Sequence, residues 1–309
     1  MAEFSAKDVQ ALRTRTGVSM MECKRALVEA NGDAEEAIKI LREKGIAVAA
    51  KKSSRIAADG IVDILYNEAA GSAAMIEVNS ETDFVAKNED FQSFVKSCLS
   101  IIAAEKPANV EELLAKPFGN GLSVEEVLKE KILVIGENLT LRRFVVVDGI
   151  LSTYIHNKGQ IGVIVKVEAD DKAQSDEGFA AFKKNLALQV AATTPLYISR
   201  EDVPASAIAE EREIVTNLIR NDEANAKKPE NVIERMIEGK VAKYYESYCL
   251  LEQSYIREEK LTVAQYIESY KKEIGAEVKL AAYYRFEKGE GIQKKEENLA
   301  EEIAKLTQK

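Results

Sequence analysis

Over the first 45 residues apolar side chains return every three or four positions, and shortly afterwards every second position, so the chain opens helical and then turns to strands. Val9, Leu12, Cys23, Leu27, Ala37, Ile38 and Leu41 lie at helical spacing and can share one small core. Ser5 with Asp8, Ser19 with Glu22, and Asp33 with Glu36 are capping-box or near-capping-box pairs, each able to satisfy amide donors orphaned at a helix start. Gly17, Gly32 and Gly45 stand where left-handed stops are wanted. The pattern predicts a three-helix domain over residues 1–50, followed by a polar, basic linker, KKSSR, at 51–55.

Strand-like runs at Ile61–Tyr66 and Ala73–Val78 then predict an α+β core. Asp59, Gly60 and Ile61 recur as Asp148, Gly149 and Ile150, 89 residues further on. At the same offset AMIEV (74–78) falls on VIVKV (163–167), and Phe91 and Phe94 meet Phe179 and Phe182 after a one-residue deletion. The core therefore reads as a duplication, each copy a strand, turn, strand, junction and helix, with subdomains at 56–147 and 148–286. Between the copies, a capped helix from Ser123 to Lys131 and a strand from Asn138 to Val147 are expected to join the halves. Residues 204–248 carry Ile208, Val215 and Ile219, then Ile233, Ile237, Val241, Tyr244 and Tyr248, around the polar stretch NDEANAKKPE. This predicts an inserted, projecting helical hairpin, an element through which two copies could pair as a homodimer. Leu299, Ile303 and Leu306 predict a C-terminal amphipathic helix within a module at 287–309.

Composition narrows the choice of function. A net charge of -9 argues against a nucleic-acid backbone as the main partner, since such binding rests on clustered Lys and Arg. No run approaches about 18 apolar residues, so no membrane span is expected, and MAEFSAKDVQ has neither a signal-peptide nor a transit-peptide pattern. Three scattered cysteines, Cys23, Cys98 and Cys249, fit a reducing, cytoplasmic setting and no metal-ligand spacing. There is no phosphate-binding glycine loop and no nucleophile elbow, and His156 is the only imidazole available as a general base. No cofactor is called for.

Three groups of residues stand out. SETDFVAKNEDF (80–91) places Phe84 among charges between a buried-looking strand and a helix. One reading tucks Phe84 and Val85 under the junction as core. The other gives Phe84 a role outside the fold, and the duplication favours it, because the equivalent junction, EADDKAQSDEG, lacks the aromatic residue and its Thr-Asp lead. His156 is likewise absent from the other copy, where Asn67 holds its place; it is either a satisfied structural residue or a second site residue. Met20 and Met21 are adjacent at a helix start, so they cannot face one side, and at least one should be an exposed, adaptable apolar contact.

TDFVAKN (82–88) resembles the signature of the elongation factor Ts family. LRTRTGVSMMECKRAL (12–27) with NGDAEEAI (31–38) is similar to that family's ubiquitin-associated-like domain, and VIGEN (134–138), YIHNKGQIGVIV (154–165) and YYRFEKGEGIQK (283–294) are similar to its later blocks. The resemblance spans the whole chain. It implies a non-enzymatic exchange factor that releases GDP from the GTPase elongation factor Tu. It further implies that Asp83 and Phe84 enter the GTPase near its nucleotide-bound Mg²⁺, that Thr82 and Val85 shape this wedge, and that His156 approaches the phosphate-loop side. Met20 and Met21 would grip a helix of the GTPase domain. Two other readings stand beside it: an adaptor for ubiquitin-like surfaces, supported by fold analogy alone, and a hydrolase or transferase dependent on His156.

Overall fold

Each N-terminal helix begins at the residue that can cap it. The computed structural model describes residues 4–293 apart from 120, 226 and 227, and the expected C-terminal helix lies outside the described residues. Helices α1 (Ala6–Thr16), α2 (Met20–Glu29) and α3 (Ala34–Lys52) start at Ser5, Ser19 and Asp33, and α1 ends at Gly17, whose φ of 68° suits a left-handed cap. Val9, Leu12, Cys23, Leu27, Ala37 and Leu41 close their shared core.

Gly45 is not the stop expected of it. Helix α3 passes through it to Lys52, so Lys51 and Lys52 end a helix instead of opening a linker. Gly45 is buried, and a Cβ there would stand 3.4 Å from the Lys129 carbonyl oxygen of a helix in the core, so the missing side chain serves close packing.

The core follows. β1 (Asp59–Asn67) and β2 (Ser72–Ser80) form a hairpin, then come the single-turn α4 (Asp83–Ala86), α5 (Glu89–Glu105), α6 (Val110–Ala115) and a small ribbon of β3 (Pro117–Gly119) and β4 (Leu122–Ser123). α7 (Val124–Ile135) leads through Gly136 to β5 (Thr140–Asp148). β5 does not join the halves as expected. It pairs antiparallel with β2 and completes the first sheet in the order β1-β2-β5.

The second copy repeats this plan at greater length. β6 (Ile150–His156) and β7 (Ile161–Ala169) form the hairpin, followed by the single-turn α8 (Asp171–Gln174) and α9 (Phe179–Thr193). Helices α10 (Ala205–Asn221) and α11 (Glu230–Tyr248) are inserted here, held by Val215, Ile219, Ile237 and Val241. A ribbon of β8 (Ser254–Tyr255) and β9 (Glu258–Thr262), then α12 (Val263–Ile274) and β10 (Val278–Glu287), complete a sheet ordered β10-β7-β6. The repeat unit is thus longer than its strand-turn-strand-helix half, since a ribbon, a capped helix and a third strand recur as well.

One face of each sheet carries its own helices. Phe91, Phe94 and Ile102 of α5 meet Ile76 and Val78 of β2, and Phe179, Phe182 and Leu186 of α9 meet Val163 and Val165 of β7. The other faces pack on one another through Val62, Ala73 and Met75 against Leu151 and Ile164. Gly162 makes this approach possible, because a Cβ there would lie 2.5 Å from Val62 Cγ1. The result is a four-layer stack, helices outside and two three-stranded sheets within.

Candidate functional site

The turn after β2 is held at both ends. Ser80 Oγ donates to the Thr82 carbonyl (2.8 Å), and Asn88 caps α5 by accepting from the Phe91 amide (3.1 Å). Between them Val85 is driven inward to 5% exposure, a plug in the core of the first sheet, while its neighbour Phe84 is 77% exposed. On one helical turn the two cannot share a side. The core reading thus holds for Val85 and fails for Phe84. Lys87 bonds Asp83 at 2.7 Å and stands 5.3 Å from the centroid of the Phe84 ring, a cation over an aromatic face. Its hydrogen bond holds the Asp83 carboxyl below the usual carboxylate range, so Asp83 is an anion at neutral pH.

The segment after α7 anchors the turn from behind. Gly136 adopts the left-handed region (φ 80°) and turns Glu137 and Asn138 toward it. Glu137 accepts from the Thr82 amide (2.9 Å) and hydroxyl (2.6 Å), while the Asn138 amide donates to Glu81 (2.6 Å) and its side chain to the Arg55 carbonyl (2.8 Å). Reading the sequence as separate blocks missed Glu81, Glu137 and Asn138. For Glu137 and Asn138 the signal was a charged and an amide residue directly past a helix-stopping glycine, where a side chain can reach a neighbouring loop.

At the equivalent junction α8 reads Asp171, Lys172, Ala173, Gln174 against Asp83, Phe84, Val85, Ala86. Element by element, the acid expected to be missing is kept as Asp171, and the aromatic residue and Thr82 are what differ. Ala173 is buried like Val85, and Lys172 folds back to donate to the Gly275 carbonyl (2.9 Å). Asp170 caps α8 by accepting from Ala173 (2.8 Å) and also takes the Glu277 amide (2.9 Å). Those amides, Glu277 first, hold its carboxyl below the usual range.

His156 ends β6 on the surface, with Nδ1 3.0 Å from the Tyr154 hydroxyl. Its turn passes through Asn157 and Lys158 at positive φ (46° and 55°) and then docks on β1, where the Gly159 carbonyl accepts from the Val62 amide at 2.8 Å. Gln160 links this turn to the chain after β10, since its carbonyl accepts from the Lys288 amide (3.0 Å), and Lys288 pairs with Asp59 while its charge also favours ionised Asp83. The His156 turn is thus tied to the Lys288 segment by a backbone bond, while Lys288 acts on Asp83 through its charge alone. Met20 and Met21, 40% and 59% exposed, stand apart on the N-terminal bundle, both more open than the sequence required.

Beneath this rim Glu77 is fully buried and fully used. It bonds Arg142 (2.9 Å), Arg143 (2.6 Å), Asn79 (3.1 Å) and the Gly289 amide (2.8 Å), as a buried charge must. Burial pushes the Cys98 thiol up to about 12 and the Cys249 thiol up to about 11, which keeps both protonated and non-nucleophilic at neutral pH. His156 is hydrogen-bonded to Tyr154, and among the described residues no bond joins it to a cysteine. Among the described residues no group of His, Cys, Asp and Glu is arranged to hold a metal ion, and no helix is long and apolar enough to cross a membrane.

The fold and the turn together define a duplicated α+β protein that presents an anchored, outward-facing aromatic side chain, Phe84. The sequence profile of the family described as Elongation factor TS matches residues 81–290. Elongation factor Ts of Clostridium botulinum (strain Eklund 17B / Type B) is 44% identical over 305 residues, spanning 98% of each chain. Those of Clostridioides difficile (strain 630) and Syntrophotalea carbinolica are 44% identical over 307 and 309 residues, spanning 99% of each. The chain belongs to the elongation factor Ts family.

Proposed function

We propose that the protein is the guanine nucleotide exchange factor for elongation factor Tu and that Asp83 and Phe84 form the wedge that releases GDP. The observation that carries this reading is Phe84, 77% exposed on a turn tethered at both ends, an arrangement that leaves the ring outside the chain's own core. An exchange factor makes no bonds, and its effect is reciprocal: it weakens nucleotide binding by as much as nucleotide weakens its own. What it needs is contact available only in the nucleotide-free partner. A rigid aromatic ring beside a carboxylate suits this, because the ring can occupy space near the phosphate-binding elements and the anion can compete for the surroundings of Mg²⁺. Thr82 and Val85 set the shape of the wedge from below, His156 meets the phosphate-loop side, and Met20 and Met21 grip the GTPase domain away from its nucleotide.

The division into 1–50, 56–147 and 148–286 follows this work-sharing, with docking on the first part and the wedge on the second. The inserted hairpin carries Ile214 and Leu218 exposed one turn apart on α10, which supports pairing of two copies there; sedimentation of wild type against Leu218→Lys tests it. The main experiment is GDP release from elongation factor Tu with substoichiometric protein. Acceleration well beyond the spontaneous rate is expected, and an unchanged rate at saturation defeats the proposal.

A further inference from the structure

Helix α4 is a single turn, too short to hold itself, since helix formation needs several turns to repay its nucleation. Thr82 stands at its cap position with extended backbone (φ -128°, ψ 160°), yet makes no side-chain bond to the helix amides. Both of its polar hydrogens go instead to one carboxylate, the amide to Glu137 Oε2 at 2.9 Å and the hydroxyl to Glu137 Oε1 at 2.6 Å. Two bonds to the two oxygens of a single carboxylate fix direction as well as distance. Glu137 in turn follows the left-handed Gly136 at the end of the twelve-residue α7, and its neighbour Asn138 is buried and bonded to Glu81 and to the Arg55 carbonyl. Besides Ser80, Asn88 and the Val85 plug, the base of α4 is therefore tied to the chain just past a packed helix.

We infer that Glu137 is a positioning residue for nucleotide exchange: through Thr82 it sets the direction in which Phe84 is presented. This rests on the wedge reading of Phe84. The ring projects into solvent with Lys87 as its charged companion, so its direction is set by the base of the turn. Freeing that base spreads the ring over orientations that must be narrowed again on docking.

Wild type, Glu137→Gln, Phe84→Ala and the double variant form the main test, each assayed for GDP release from elongation factor Tu across concentration and for thermal melting. Glu137→Gln keeps the side-chain shape but cannot accept twice as an anion. It should melt near wild type and lower the maximal exchange rate about tenfold, since small misplacements of a working group are costly. In the Phe84→Ala background the same change should alter the rate less than about twofold, because the two residues act as one unit. Thr82→Val, which removes only the hydroxyl bond, should show a smaller loss with the same dependence on Phe84, and it carries the comparison if Glu137→Gln does not fold. An equal loss with and without Phe84, or wild-type exchange by Glu137→Gln, overturns the positioning role while leaving the wedge intact. Wild-type exchange by Phe84→Ala overturns the wedge itself, and the positioning role with it.

Discussion

The joints at α4 and α8 stand at the same place in two copies of one fold and solve the same problem with opposite chemistry. In each, a single-turn helix leaves the central strand and leans on the chain just past a helix-stopping glycine, Gly136 or Gly275. In the second copy the carboxylate sits on the cap, and Asp170 takes both its own helix amide and the Glu277 amide. In the first copy it sits on the other side, and Glu137 takes both hydrogens of Thr82. The third position is a buried plug in both, Val85 or Ala173. The second position is where they part: Lys172 folds back onto the Gly275 carbonyl, while Phe84 faces water. The joint needs one carboxylate and one small plug. It does not need an aromatic ring, and Phe84 adds none to the core beneath it.

The comparison breaks most visibly at the phenylalanines. Phe182, buried and stacked on Tyr270 with centroids 4.1 Å apart, should cost about 3–5 kcal/mol of stability when changed to Ala, read as a large drop in melting temperature. Phe84→Ala should melt with wild type and lose about 2 kcal/mol or more in exchange, roughly thirtyfold in rate. A low-melting Phe84→Ala would return the residue to the core. A third result concerns docking: Met20→Ala with Met21→Ala should weaken association about tenfold, measured by titration, and leave the maximal exchange rate near wild type.

The second joint should matter to stability alone. Asp170→Ala is expected to lower the melting temperature measurably without touching GDP release. Because the amides of Glu277 and Ala173 hold the folded carboxyl below its ordinary value of 3.8, its contribution is present above that value. It is lost as pH falls through the lower folded value, so the difference from wild type should close in acid. The smallest effect is expected of Lys172→Ala, which loses one exposed bond to a carbonyl and should shift neither exchange nor, by more than about 0.5 kcal/mol, stability.

Much of this was legible in the chain. The caps at Ser5, Ser19, Asp33 and Ser123 marked helix starts because an orphan amide needs a local acceptor, and local needs leave local signals. The duplication was legible through its strand pairs and phenylalanines, and the exposure of Phe84 through the lack of an aromatic residue at the other junction. What escaped was tertiary. Gly45 carries the same residue whether it ends a helix or admits a neighbour, and only the Lys129 carbonyl packed against it distinguishes the two. β5 looked like a connector because nothing within a strand names its partner. Glu137 reaches Thr82 across 55 residues of sequence, a distance over which spacing is silent.

The buried Glu77 has a consequence for how the molecule is made. Its partners span the chain: Arg142 and Arg143 are about 65 residues away, and the Gly289 amide is 212 residues away. Lys288 reaches Asp59 across 229. The arginines of β5 can reach Glu77 once the first sheet forms, whereas its bond from the Gly289 amide waits for the segment after β10 to dock. Contacts of such long range also slow the final step. Docking of that segment therefore closes the ring of bonds around Glu77 and ties the chain after the second sheet to the first.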